Sequence, residues 1–135
     1  MKNIVTALLL FVAIASIPSC KKDEGKLPDI KFKIASGYTF SDEVKSPGST
    51  ITIGIIAAKT EKEDVLKNFN ISQSVNGGSP FTVFNKVLTG SEGDNYAYDF
   101  TTTLDTVVGQ TDKFTFTVSN RDGLVNQVAL TTTIQ

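Results

Sequence analysis

The sequence predicts an all-β domain, an antiparallel sandwich of about seven strands. Three observations point there. Apolar residues from Ile30 onward recur at every second position, not every third or fourth. Turn-forming clusters of Gly, Pro, Asn and Asp divide these runs at short, regular intervals. No stretch beyond the first twenty residues shows the amphipathic spacing of a helix.

The elements follow in order. Ile30, Phe32 and Ile34 alternate with Lys31, Lys33 and Ala35, a first strand with one wet face. Ser46-Pro47-Gly48-Ser49 is a turn. Thr50 to Ala58 is β-branched and apolar nearly throughout, which predicts a strand buried on both faces or one in the sandwich centre. Lys59 to Asp64 is a charged loop, with Glu61, Glu63 and Asp64 read as a solvated face. The next strand carries Phe69 and Ile71 inward and ends at Asn76-Gly77-Gly78, residues that tolerate positive φ. Phe81 and Val83 alternate with Thr82, Phe84 and Lys86 in a further strand, and "GSEGD" at 90–94 turns the chain again. Tyr96, Tyr98 and Phe100 share one face of a strand opposite Ala97, Asp99 and Thr101. Asp105 to Thr111 is a loop around Gly109. Phe114, Phe116 and Val118 alternate with threonine and serine, and Asn120-Arg121-Asp122-Gly123 connects them to a long strand, Leu124 to Ile134. Asp-Gly suits the backbone twist of a hairpin, so this last pair is the clearest signal in the chain.

Seven short strands with evenly spaced turns indicate an immunoglobulin-like architecture, with a closed barrel as the alternative. The immunoglobulin disulfide and core tryptophan have no counterpart, because the chain holds one cysteine and no tryptophan. The ending "DKFTFTVSNRDGLVNQVALTTTI" resembles the last two strands of immunoglobulin-like domains in bacterial surface lipoproteins. That resemblance implies a fold and a cell-surface setting, with no activity to carry over.

The start of the chain has a different character. Lys2 precedes a continuous apolar run, Ile4 to Ile17, which ends in Pro18, Ser19 and Cys20. A basic start, a short apolar core and small residues at the exit form a secretory signal. The run is shorter than the roughly 20 residues a spanning helix needs. Ile17-Pro18-Ser19-Cys20 resembles the lipobox of bacterial lipoproteins, though proline at its second place is unusual. The resemblance implies cleavage before Cys20, a diacylglycerol on its thiol and acylation of the new amine. The expected organisation is a signal peptide at 1–19, a lipidated N-terminus and linker at 20–29, and the sandwich at 30–135. Lys22-Asp23-Glu24 resemble the lysine-then-acidic export signal of Bacteroidetes-type surface lipoproteins. They imply the outer face of the outer membrane, with the periplasmic face as the alternative.

Composition narrows the chemistry. With Met1 to Ser19 removed, 12 basic residues face 14 acidic ones, a net charge of −2. No basic footprint for nucleic acid is present. With no histidine, a Ser-His-Asp or Cys-His unit cannot be assembled, and the one cysteine is claimed by lipid. Zinc lacks its preferred ligands. The acids near Glu92 and Asp94, and Asn120 with Asp122, are too sparse for a dedicated calcium loop and read as turn formers. No catalytic residue, metal or cofactor is therefore expected.

The expected function is a non-catalytic, lipid-anchored envelope module that binds a protein or glycan or acts as a spacer. An accessory subunit of an outer-membrane uptake or assembly complex is the second reading. A small carboxylate-dependent hydrolase is the third, and it requires a concave pocket holding two acids. If a binding patch exists, Tyr38, Phe40, Tyr96 and Tyr98 are the aromatics placed to form it.

Overall fold

The computed structural model describes residues 25–135. The described residues form eight strands: β1 (Asp29–Phe32), β2 (Glu43–Lys45), β3 (Thr50–Ala58), β4 (Leu66–Val75), β5 (Phe81–Val87), β6 (Asn95–Thr103), β7 (Thr111–Asn120) and β8 (Val125–Ile134). One 3-10 turn, Gly90–Gly93, precedes β6. The strands form two sheets, β1-β3-β6 and β2-β8-β7-β4-β5, so the architecture is an open sandwich and not a closed barrel. In immunoglobulin terms β1, β3 and β6 take places A, B and E, while β4, β5, β7 and β8 take C, C′, F and G. Among the described residues the D place is empty.

Strand β2 had no prediction. It is three residues long, with Val44 between two charges, and it pairs parallel to β8 through Glu43↔Thr132 to Lys45↔Ile134. The segment after β1 thus leaves one sheet and joins the edge of the other. All other pairings are antiparallel.

The core is the meeting of inward stripes. Ile51, Ile53, Ile55 and Ala57 from β3 pack with Leu66, Phe69 and Ile71 from β4, and with Phe114, Phe116 and Val118 from β7. Phe69 sits at the centre, with ring centroids 5.2 Å from Tyr96, 5.8 Å from Tyr98, 6.1 Å from Phe84 and 6.5 Å from Phe116. These separations suit aromatic pairs, which add to plain area burial.

Two expectations about the early strands require correction. The first strand ends at Phe32, and Ile34 is 78 % exposed outside it. Strand β3 is buried on one face only: Thr50 and Ile56 are exposed, and Gly54 is covered by the Tyr38 ring and the Lys33 stem instead of by a second layer. A Cβ at Gly54 would stand 2.7 Å from Tyr38 Cε1, so the ring comes this close to the strand only because the position is glycine. The last hairpin is a three-residue loop with Gly123 at φ +83, closed by the Asn120 N–H donating to Leu124 O at 3.0 Å. Glycine is needed there for positive φ, as in three-residue hairpin loops generally.

The segment expected as a free linker is tied down. The Lys26 carbonyl accepts from Asn120 Nδ2 (3.2 Å), Leu27 O from Thr60 Oγ1 (2.9 Å) and Pro28 O from Asn126 Nδ2 (2.8 Å). Asp29 already belongs to β1. The Asp64 face read as solvated is also an internal lock. Asp64 and Asn120 are each 4 % exposed; the Asp64 carboxylate accepts from Asn120 Nδ2 and, at 3.2 Å, from the Asp122 N–H.

Candidate functional site

Following the interior stripes to one end of the sandwich, the side chains change from apolar to polar. On β7 the inward positions run Asp112, Phe114, Phe116, Val118, Asn120, all buried. On β4 the stripe of Phe69 and Ile71 continues to Gln73, and on β6 that of Tyr98 and Phe100 continues to Thr102. At this end a cavity of about 390 Å³ opens between the sheets. Gln73, Thr102, Asp105, Gln110 and Asp112 give it polar walls, and Leu104 and Phe114 give it apolar ones.

Two connections frame the cavity. Asn76 (φ +51) and Gly77 (φ +69) form the β4–β5 turn, with the Gly78 N–H donating to Val75 O at 2.9 Å. The double positive φ is the hairpin type that Asn-Gly favours. The turn is pinned to β7 by reciprocal bonds, Asn76 N–H to Thr111 O (2.8 Å) and Thr111 N–H to Asn76 Oδ1 (2.9 Å). The β6–β7 loop is held through Gly109 N–H to Ile134 O (2.8 Å), Ile134 N–H to Gln110 O (2.9 Å) and Gly48 N–H to Asp105 O (3.0 Å). The walls are thus built on backbone bonds and are preformed.

Asp112 is the unusual member. It is 1 % exposed, and its carboxylate accepts from Gln73 Nε2 at 2.9 Å and from Gln110 Nε2 at 3.2 and 3.1 Å. None of the ion pairs among the described residues includes it. Burying a carboxylate without a counter-charge costs several kcal/mol, which neutral amide donors offset only in part. Asp105, also lining the cavity, gives Oδ1 to the Thr106 N–H at 2.8 Å.

The aromatic patch expected from the sequence does not assemble. Tyr96 and Tyr98 face the interior of the sandwich, Tyr96 at 7 % exposure and Tyr98 stacked on Phe84 with centroids 4.5 Å apart. Tyr38 and Phe40 belong to the segment between β1 and β2, and Tyr38 lies across Gly54 on the opposite face of the three-stranded sheet. One ligand cannot touch both pairs. Burial pushes the Tyr96 hydroxyl upward, against the Lys86 ammonium 5.3 Å from its ring centroid. Cys20, Lys22, Asp23 and Glu24 lie outside the described residues.

Residues read as sparse calcium candidates have other partners. Glu92 pairs with Lys86, Asp94 with Lys59 at 2.5 Å, and Asn120 with Asp64. Among the described residues no three His, Cys, Asp or Glu side chains converge. The cavity residues were missed because only the apolar members of each stripe were followed. Extending the Phe114–Phe116–Val118 alternation two positions back puts Asp112 on the core face, and that signal was legible.

A surface cluster on the outer face gives a pH prediction. Lys33 Nζ meets Asp99 Oδ1 at 2.5 Å and the Tyr38 hydroxyl donates to Asp99 Oδ2 at 3.0 Å. The Lys33 hydrogen bond is the main cause that holds the Asp99 carboxyl below its ordinary 3.8; Tyr38 adds to it and desolvation opposes it. A folded-state value below the unfolded one stabilises above pH 3.8 and loses that contribution as pH falls through the folded value. The pair is nearly half exposed on the carboxylate side, so the effect is small. Urea midpoints at pH 7 and pH 3 are expected to differ less for Asp99→Asn than for the parent; an equal drop in both would remove this cluster as a cause of acid sensitivity.

Comparison with known proteins adds little. No family model matches the chain, and no curated protein matches it. One similar solved structure is Spo0M, the sporulation control protein from Bacillus subtilis, at 12 % identity and a TM-score of 0.48. The match covers 81 % of this chain and 49 % of that one, so this chain spans about half its length.

Proposed function

We propose that the protein is a non-catalytic module, lipid-anchored through Cys20 to the outer membrane, that presents the far end of its sandwich for binding a protein or glycan. The observation that carries this reading is the closeness of the lipobox-like Ile17-Pro18-Ser19-Cys20 to the pinned segment at Gly25 to Pro28. Five residues of chain reach at most about 18 Å. The lipid therefore sits beside the end of the sandwich that carries Asp64 and the β7–β8 hairpin. The cavity lies at the other end of β7, whose ten residues span about 30 Å. A short, docked tether orients the domain, where a long flexible one leaves it free to tumble. The likeness of Lys22-Asp23-Glu24 to a surface-export signal favours the outward leaflet.

Cys20→Ser is the test. The parent protein is expected in the membrane fraction, stable to high salt and released by detergent. The variant is expected to leave that fraction almost entirely, since each buried methylene of an acyl chain contributes about 0.8 kcal/mol. Undiminished membrane recovery would falsify the anchor.

One observation favours the accessory-subunit reading. Strand β5 is a sheet edge, and Phe81, Val83 and Val87 on it are exposed. An apolar edge with free backbone groups suits strand addition by a partner. The hydrolase reading draws on Asp105 and Asp112 sharing one cavity. It is the weaker one, because N–H donors meet both oxygens of Asp112 and suit an acceptor more than a proton donor.

A further inference from the structure

We infer that the cavity at the far end of the sandwich is a binding site for a primary alkylammonium group. The inference goes beyond the anchored-module reading and does not need it, because the cavity is built entirely within the described domain.

The donor and acceptor balance carries it. An ionised carboxylate only accepts, so Gln73 and Gln110 must both turn their amide nitrogens to Asp112. Their Oε1 atoms are then left as acceptors, and both glutamines line the cavity. Asp105 keeps Oδ2 free, and Thr102 and Thr103 add hydroxyls. The cavity thus offers the Asp105 carboxylate and several neutral acceptors, backed by the buried, amide-capped charge of Asp112, and no described cation pairs with either acid. An ammonium group supplies what is missing: one positive charge, three N–H donors and no acceptor.

Size and wall chemistry separate an organic cation from a metal ion. The volume of about 390 Å³ lies within the range of small-molecule sites, roughly 300–1,000 Å³. Leu104 and Phe114 provide an apolar wall for a hydrocarbon chain. Calcium wants about six to eight converging oxygens. Here three N–H contacts already occupy Asp112, and no third acid is near.

The test uses full-length ¹⁵N-labelled protein in nonionic detergent, titrated at constant ionic strength with n-butylammonium chloride. The side-chain NH₂ signals of Gln73 and Gln110 report directly on Asp112. Saturable shifts are expected, with a dissociation constant of roughly millimolar size for a ligand of so few atoms. Asp112→Asn is expected to weaken binding about tenfold, through loss of the buried negative charge behind the cavity wall, and Asp105→Asn by about threefold, through loss of a charge-assisted contact at the rim. Asp105→Asn changes a loop side chain at the rim, so it remains informative even where Asp112→Asn fails to fold. A blocked tripeptide, acetyl-Ala-Lys-Ala amide, distinguishes the source: tighter binding than butylammonium marks a partner's lysine, weaker binding a free amine. The inference is overturned by non-saturating shifts, by equal shifts with neutral n-butanol, by saturation with calcium chloride and not the amine, or by unchanged affinity in Asp105→Asn with a folded Asp112→Asn also unchanged.

Discussion

Replacing Phe69 with alanine is expected to lower the stability of the domain by about 3–5 kcal/mol, the range for large-to-small changes at fully buried aromatic positions. Phe69 is fully buried and lies among four other rings, from both sheets. Its removal deletes the apolar transfer term and leaves a void. Rings held by strands on both sides of the sandwich cannot close that void without shifting their backbones. A domain of this size has a total stability of about 5–15 kcal/mol, so the variant sits near the threshold of folding. Urea or thermal unfolding of Phe69→Ala beside Val87→Ala measures it. Val87 is exposed on the edge strand, and its truncation is expected within about 0.5 kcal/mol of the parent. A loss below about 1 kcal/mol at Phe69 would mean that the two sheets are not packed through this residue.

The second large effect is expected at Asp64. Asp64→Ala leaves one N–H of the buried Asn120 amide and the Asp122 N–H without their acceptor, at a cost of about 2–4 kcal/mol. The consequence extends beyond stability, because Asn120 also holds the Lys26 carbonyl. Loosening Asn120 loosens the hold on the segment from Gly25 to Pro28. Limited proteolysis between Gly25 and Pro28 is therefore expected to accelerate in Asp64→Ala. A double-mutant cycle with Asn120→Ala is expected to show a coupling of about 1–2 kcal/mol. Additive single effects with unchanged cleavage would reduce Asp64 to an ordinary loop residue and free the domain from the orientation argued above.

Much of this fold was legible in the chain. The period-two runs marked seven of the eight strands, including β3 at its observed bounds and the β7–β8 hairpin. Phe69 and Ile71 were assigned inward, Phe114, Phe116 and Val118 were grouped on one alternating stripe, and all five are fully buried. Strand β2 was not legible. Three residues with one valine carry no periodicity, and its pairing exists only because β8 offers a free edge. Asp64 was misread because a carboxylate among lysines ordinarily faces water; its partner Asn120 lies 56 residues away in sequence. Gln73 and Asp112 looked like the polar ends of apolar strands. Their role appears only when the two strands are laid side by side, Gln73 beside Phe114 and Val75 beside Asp112.

The sequence by itself determined the alternation that makes strands and the Asn-Gly and Asp-Gly turns that join them. These signals are local: each depends on residues a few positions apart, whose preferences act before any tertiary contact forms. Only the tertiary structure decided which stripes face each other, that Tyr38 and Tyr96 lie on opposite sides of one sheet, and that Asp112 is buried between two glutamines at the mouth of a cavity. Those outcomes follow from strand order and from crossovers between sheets, where residues distant in the chain meet and desolvate one another.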